Sequence, residues 1–490
     1  MPPPVPADGT GSIPAGSGSA FRERRQAHWD AVAERFEPGN RVADVYHQEL
    51  LHYYRLLVPS GARVLDVGCG HGDLLAALQP AFGVGVDFSA AMIRQASRRH
   101  PSLRFIQADA HELELSEPFD VIVLSDLLND LWDVQAVLER LHSIASPRTR
   151  IVLNIYSRVW QLPLRIAQRL GLSRPTLPQN WLTVDDVANL LQLTGFEVVK
   201  RSQEILAPFP IPILGRLLNR VGAKLWPLSA LALTNFMVAR PSAGEARRPV
   251  TSPRVSVVVP ARNEAGNVDA IFSRLPEMGA GTELIFVEGH STDQTAAAIR
   301  EAIARYPEQQ ARCFTQTGKG KGDAVRLGFS HATGDVLMIL DADLTVLPED
   351  LPRFYEALVT GRGEFVNGVR LVYPMEAQAM RFFNLLGNKF FSMAFSWLLG
   401  QPIKDTLCGT KVLWKRDYGR IAANRDYFGD FDPFGDFDLL FGAAKLSLRI
   451  VDLPIRYHER TYGTTNIQRW RHGFLLLRMV IFAARRLKFA

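Results

Sequence analysis

At 490 residues, with 47% hydrophobic and 22% charged content, the chain is too long for one ordinary domain and apolar enough to bury more than one core. Its formal charge of +6 suits anionic ligands or an anionic surface, but without a basic and aromatic array it argues against a nucleic-acid partner. Three widely spaced cysteines, Cys69, Cys313 and Cys408, give no disulfide framework and read as reduced thiols in the cytosol.

Residues 1–21 are rich in Pro, Gly and Ser, with no basic start and no apolar core. They read as a disordered tail rather than a signal peptide. From about 62 to 155, apolar runs alternate with helical patterns, which predicts a parallel sheet flanked by helices. In VLDVGCGHGD, a strand carrying Asp66 runs into Gly68, Gly70 and Gly72. Glycine permits positive φ and lets a ligand approach the backbone, and the free N–H groups of the next helix point at that ligand. The next strand ends at Asp87, 21 residues after Asp66, where a carboxylate can accept both hydroxyls of a ribose. Asp109 ends the third strand, in reach of an adenine amino group.

These residues resemble the class I S-adenosylmethionine-dependent methyltransferases over roughly 22–240. The resemblance implies a Rossmann-like sheet in which Asp66, Gly68 and Gly70 shape the methionine and ribose pocket. It implies further that Asp87 holds the ribose, Asp109 reads the adenine, and Ser125 and Asp126 flank the methionine end. Methyl transfer would then proceed by positioning the acceptor for an SN2-like displacement. No acceptor-binding motif stands out between 156 and 240, so a domain that senses S-adenosylmethionine without catalysis is the alternative.

Residues 241–253 are rich in Pro, Ala, Ser and Arg and read as a linker. A second alternating series follows. The strands VSVVVPARNE, ELIFVEGHSTDQT and VLMILDADLT each deliver polar groups to one sheet edge, with TGKGKGDAVRLGF between the second and third. Asp341 and Asp343 flank one residue at a strand end, so both can face one Mg²⁺ or Mn²⁺ that neutralises a departing diphosphate. Lys319 and Lys321 add positive charge, although the turn is not a P-loop because no GK[ST] closes it.

Over about 254–472 these blocks resemble glycosyltransferase family 2, of the GT-A fold. The resemblance implies that Pro260, Ala261, Asn263 and Glu264 line a nucleobase pocket. Glu288 stands where the family has D-D-G-S and this chain has E-G-H-S. Lys321 and Asp341 would contact the nucleotide sugar, Asp341 and Asp343 would hold the metal, and Asp343 would serve catalysis. Asp436, in G-D-F-D-L where the family has E-D-x-E-L, aligns with the base of an inverting displacement. A narrower resemblance, in DTLCGTKVLWKRD and PIRYHERTYGTTNIQRW, is to polyprenyl-phosphate sugar transferases. It implies that Arg370, Arg456 and Arg460 face donor or acceptor phosphates.

The expectation is therefore an α/β chain of two domains, a Rossmann-like methyltransferase followed by a GT-A glycosyltransferase. It would use S-adenosylmethionine, a divalent metal and a nucleotide sugar. The acceptor would be a lipid phosphate or a glycan, reached from the cytoplasm by peripheral contact with the inner membrane face. The segments 381–403 and 473–490, the latter a basic amphipathic C-terminal helix, would lie at that interface or pack on the protein's own core. The alternative is a glycosyltransferase with a soluble or polysaccharide acceptor.

Overall fold

The computed structural model describes the chain outside residues 1–17, 35–40, 170–176, 178, 209–210, 212–213, 243–251, 371–381, 426–435, 456–457, 459, 461, 463–476 and 490. It divides into two compact units, Met1–Pro241 and Ser242–Ala490. Each is built on a mixed sheet of seven strands.

In the first unit the strands are β1 (Arg63–Val67), β2 (Phe82–Asp87), β3 (Arg104–Gln107), β4 (Val121–Leu124), β5 (Arg150–Tyr156), β6 (Phe196–Glu204) and β7 (Thr234–Pro241). Their spatial order is β3-β2-β1-β4-β5-β7-β6. β1 and β4 are buried along nearly their whole length because both faces are covered, as is usual for parallel strands. The chain turns from one half of the sheet to the other between β1 and β4, which opens a crevice beyond their carboxyl ends. The sheet is not wholly parallel. The chain leaves β6 and re-enters β7 at the same end, so β7 runs antiparallel to both β5 and β6. A helix at Gly18–Glu34 begins inside the stretch expected to be a tail.

The second unit contains β8 (Val255–Ala261), β9 (Thr282–Glu288), β10 (Gln310–Thr315), β11 (Val336–Ile339), β12 (Phe365–Val369), β13 (Lys411–Trp414) and β14 (Ile450–Pro454), in the order β10-β9-β8-β11-β13-β12-β14. Only β13 is antiparallel to its neighbours, and the switch in chain order falls between β8 and β11. The helix Phe382–Leu399 buries Phe395, Leu398 and Leu399 in one cluster with Met479 and Ala483, while Met393 and Trp397 stay exposed. The Lys488 ammonium lies 5.2 Å over the Trp397 ring. Among the described residues, no helix is long and apolar enough to cross a membrane.

Candidate functional sites

In the first unit, Gly68, Gly70 and Gly72 all adopt positive φ, at 76°, 51° and 76°. At Gly70 this brings the backbone N–H onto Asp87 Oδ2, 3.0 Å away, while Ser89 N–H donates to Oδ1 at 2.9 Å. A Cβ at Gly70 would meet no protein atom within 4 Å, so the turn leaves open space above its backbone. Gly68, Gly70, Asp87, Asp109 and Ser125 line one cleft at the carboxyl edge of the sheet. Asp66 sits on β1 beneath the turn, 1% exposed, and among the described residues neither of its carboxylate oxygens has a hydrogen-bond partner.

The cleft is acidic, but its carboxylates differ. Burial, reinforced by the Asp87 charge, pushes Asp66 up to about 7. Burial also raises Asp87, against the N–H groups of Ser89 and Gly70. Burial acts upward on Asp109 as well, yet His111 and Arg22 outweigh it and hold the carboxyl at about 2. The Asp109 carboxylate lies 3.2 Å from Arg22 Nη1 and 2.6 Å from His111 Nδ1. Among the described residues, the two buried carboxylates Asp66 and Asp87 are thus left without a cation. A cationic nucleoside with ribose hydroxyls fits that deficit, and the orphaned oxygens of Asp66 and the open cradle at Gly70 fit it too.

Several cleft residues were not anticipated. The helix Gly18–Glu34 contributes Phe21, Arg22, Arg25 and Trp29 to the cleft wall. Arg25 pairs with Asp130 at 2.6 Å, both largely buried. Asp126, by contrast, was expected at the methionine end and does line the cleft; it adopts φ 53° and accepts from Tyr46 Oη at 2.9 Å and Asn154 Nδ2 at 2.5 Å. The only sequence signal for the helix was FRERRQAHWD, whose charge hides a short aromatic face.

In the second unit, β8 ends in Pro260 and Ala261, and Asn263 follows at φ 58°. Two loops are stitched together there. Thr292 N–H donates to Asn263 Oδ1 at 2.8 Å, and Asn263 N–H donates to Ser291 Oγ at 3.1 Å. Glu288 accepts from Ser291 N–H at 2.6 Å. Asp341 and Asp343 follow β11 at the same edge, and each meets a cation. Lys321, the first residue of the helix Lys321–His331, lies 2.5 Å from Asp341 Oδ1. Arg460 divides its fork between Asp343 Oδ2 at 2.7 Å and Glu264 Oε1 at 2.9 Å.

Burial pulls Asp341 up, but Lys321, Lys411 and Arg370 together hold it below the usual carboxylate range. Burial lifts Glu264 to about 6, with Arg460 opposing and Asp343 assisting. Gly409 was not anticipated as a site residue. A Cβ there would run into both the Asp341 carboxylate and the Lys321 ammonium. Arg370, expected to face a phosphate, gives Nε and Nη2 to the fully buried Asp405 at 2.7 and 2.8 Å. Asp436 opens the helix Asp436–Lys445, but its side chain lies outside the described residues, as does Arg456. Among the described residues no group of three or more His, Cys, Asp or Glu gathers for a metal.

Comparison with known proteins assigns the two units. Residues 34–201 match the family model described as methyltransferase domain, and residues 256–416 match glycosyl transferase family 2. The chain joins a methyltransferase domain to a family 2 glycosyltransferase domain. The glycosyltransferase domain is 33% identical over 222 residues to the dolichol-phosphate mannosyltransferase of Pyrococcus furiosus, covering 44% of this chain and 59% of that one. It is 34% identical over 213 residues to the undecaprenyl-phosphate 4-deoxy-4-formamido-L-arabinose transferase of Edwardsiella ictaluri, covering 43% and 61%. The chain thus spans about three fifths of these relatives. Among solved structures, a mannosyltransferase from Pyrobaculum calidifontis is 22% identical, with a TM-score of 0.35 over 50% of this chain and 66% of that one. A methyltransferase from Thermotoga maritima is 14% identical, with a TM-score of 0.34 over 46% and 99%.

Proposed function

We propose that the glycosyltransferase domain moves a sugar from a nucleotide sugar to a polyprenyl-phosphate type of lipid, and that the methyltransferase domain binds S-adenosylmethionine and transfers its methyl group. The relatives named above carry lipid-phosphate acceptors in their names, which supports the acceptor class. The observation that carries the reading is the charge arrangement beyond β11. Asp341 and Asp343 are neutralised by Lys321 and Arg460 at the same sheet edge. Two carboxylates fit a hard divalent ion such as Mg²⁺ or Mn²⁺, whose remaining ligands would be diphosphate oxygens. The ion, when bound, supplies charge neutralisation for the leaving diphosphate. Lys321 and Arg460 would then be released toward phosphate oxygens, which Arg460 suits by its planar fork.

In the transfer itself, a phosphate oxygen of the acceptor forms a bond to the anomeric carbon as the bond to the diphosphate breaks. The configuration inverts, and a nucleoside diphosphate leaves with the electron pair. An acceptor that is already anionic needs little help from a base, so Asp436 would act chiefly by positioning. We take the working domain limits as 22–240 and 254–472, and place the work at the cytosolic face of a membrane. Three free cysteines support a reducing compartment.

The test is to incubate the full chain with a panel of nucleotide sugars, polyprenyl phosphate and Mn²⁺, and to read product masses. A glycosylated lipid phosphate is expected, lost with chelator and at least about a hundredfold reduced in Asp343→Ala, the scale set by removing one group that stabilises charge at the transition state. Undiminished transfer by Asp343→Ala in chelator would overturn the metal-diphosphate reading. Calorimetry of Mn²⁺ with nucleoside diphosphate reports the site independently of turnover.

A further inference from the structure

The register of the first sheet brings three chain segments to one edge. β5 ends at Tyr156 opposite Thr234, which is also opposite Glu204 at the end of β6. The segments after β5, after β6 and before β7 therefore emerge beside the carboxyl ends of β1 and β4, the edge that carries the cofactor cleft. They are tied to each other there. Ser157 N–H donates to Leu233 O at 2.6 Å, Leu233 N–H to Ile205 O at 2.8 Å, and Trp160 Nε1 to Leu231 O at 2.8 Å.

The surface they form is apolar and exposed. Trp226 is 85% exposed and Leu162 67%, and Val159, Ile166, Leu217 and Leu231 are each more than half exposed. A soluble surface seldom exposes so many such side chains on segments that meet at one edge, which marks a face with something to cover it. Its charge names the cover. Neither 157–184 nor 205–241 contains a single Asp or Glu. Arg158, Arg165, Arg169, Arg216 and Arg220 are exposed on the same segments. Lys224 does not belong to this set, since it is buried against Glu204. Leucines and a tryptophan interleaved with arginines, without an acidic residue, complement the boundary of an anionic bilayer.

We infer that the methyltransferase domain docks on an anionic lipid surface through the face centred on Trp226. This contact is separate from the segments 381–403 and 473–490, and it does not depend on which sugar or acceptor the other domain uses. The face shares the sheet edge that carries the cofactor cleft, so a bilayer seated on it would bring a lipid-borne methyl acceptor to that edge.

The test uses the full chain with Cys313→Ser and Trp226→Cys, labelled at position 226 with an environment-sensitive fluorophore; Cys69 and Cys408 are buried and stay unlabelled. Vesicles of phosphatidylcholine with phosphatidylglycerol should brighten and blue-shift the label, and brominated lipid should quench it. Vesicles of phosphatidylcholine alone should do neither. Adding Arg165→Gln and Arg216→Gln should weaken vesicle binding roughly thirtyfold, at about a decade and a half for two surface cations. Unchanged S-adenosylhomocysteine binding by each variant confirms that it folds. A silent label on chain that sediments with the vesicles would overturn the inference, placing membrane contact elsewhere. A blue shift without vesicles would overturn it too, indicating a second copy if it depends on protein concentration and another part of the chain if it does not.

Discussion

Replacing Asp66 by asparagine tests the electrostatics of the cofactor cleft directly. The Asp66 carboxyl is held at about 7, above its ordinary 3.8, by burial and by Asp87. The raised value means that the folded chain binds a proton that the unfolded chain has released. Between pH 3.8 and about 7, stability therefore falls as pH rises, and above 7 the whole penalty is present. At 1.36 kcal/mol per pH unit, that penalty is about 4 kcal/mol, with about 3 kcal/mol accruing between pH 5 and 7. The introduced amide would have no partner where the carboxylate has none, which costs about 1–3 kcal/mol at every pH. The ligand-free variant should accordingly match or trail the parent at pH 5 and exceed it at pH 8. Denaturant midpoints of parent and variant from pH 5 to 8 measure the difference. In the parent, a cationic cofactor should release a proton on binding near pH 6.5, seen by calorimetry in buffers of different ionisation enthalpy, and Asp66→Asn should abolish the release. Parallel stability curves for the two proteins across this window would refute the reasoning.

Two further substitutions probe the glycosyltransferase domain. Gly409→Ala would force Asp341 and Lys321 apart, at about 1–3 kcal/mol of overpacking; sugar transfer should fall sharply while cofactor binding by the methyltransferase domain is unchanged in the same sample. Asp405→Asn leaves the Arg370 guanidinium buried without its carboxylate and should destabilise the domain by about 3–5 kcal/mol in urea. Burial pushes Asp405 up but Arg370 more than offsets it, so the pair's contribution is present above about pH 4 and is lost as acid titrates the depressed carboxyl. Adding Arg370→Met to Asp405→Asn removes the unpaired cation while the amide oxygen can still accept from a backbone N–H, and should recover part of the loss.

Much of this could be read from local pattern. Apolar runs of strand length, punctuated by Gly, Asp or Glu at the ends of β1, β2, β9 and β11, mark the central strands of both sheets and the edge at which Asp66, Asp87, Asp341 and Asp343 emerge. That is a property of period and punctuation, visible within a few residues. What stayed hidden depends on closure in space. The antiparallel β7 and β13 follow from where a connection re-enters the sheet, which no strand records in its own residues. The helix Gly18–Glu34 has many charges and a weak apolar stripe, so its part in the cleft wall arises only when Arg22 and Arg25 meet Asp109 and Asp130. Gly409 carries no functional group, and its importance is the room it leaves beside Asp341 and Lys321. Arg370 could be singled out as a phosphate ligand by its neighbours in sequence, but its buried carboxylate partner lies 35 residues away.

The Arg460 fork also has a consequence for biogenesis. Asp343 and Glu264 receive their shared guanidinium from a residue 117 and 196 positions downstream. A nascent chain that has emerged only as far as β14 carries the strand tips of the sugar-transfer site with two acidic groups facing each other and nothing between them. The pocket therefore matures after the sheet does, its two carboxylates balanced only once Arg460 has emerged to bridge them.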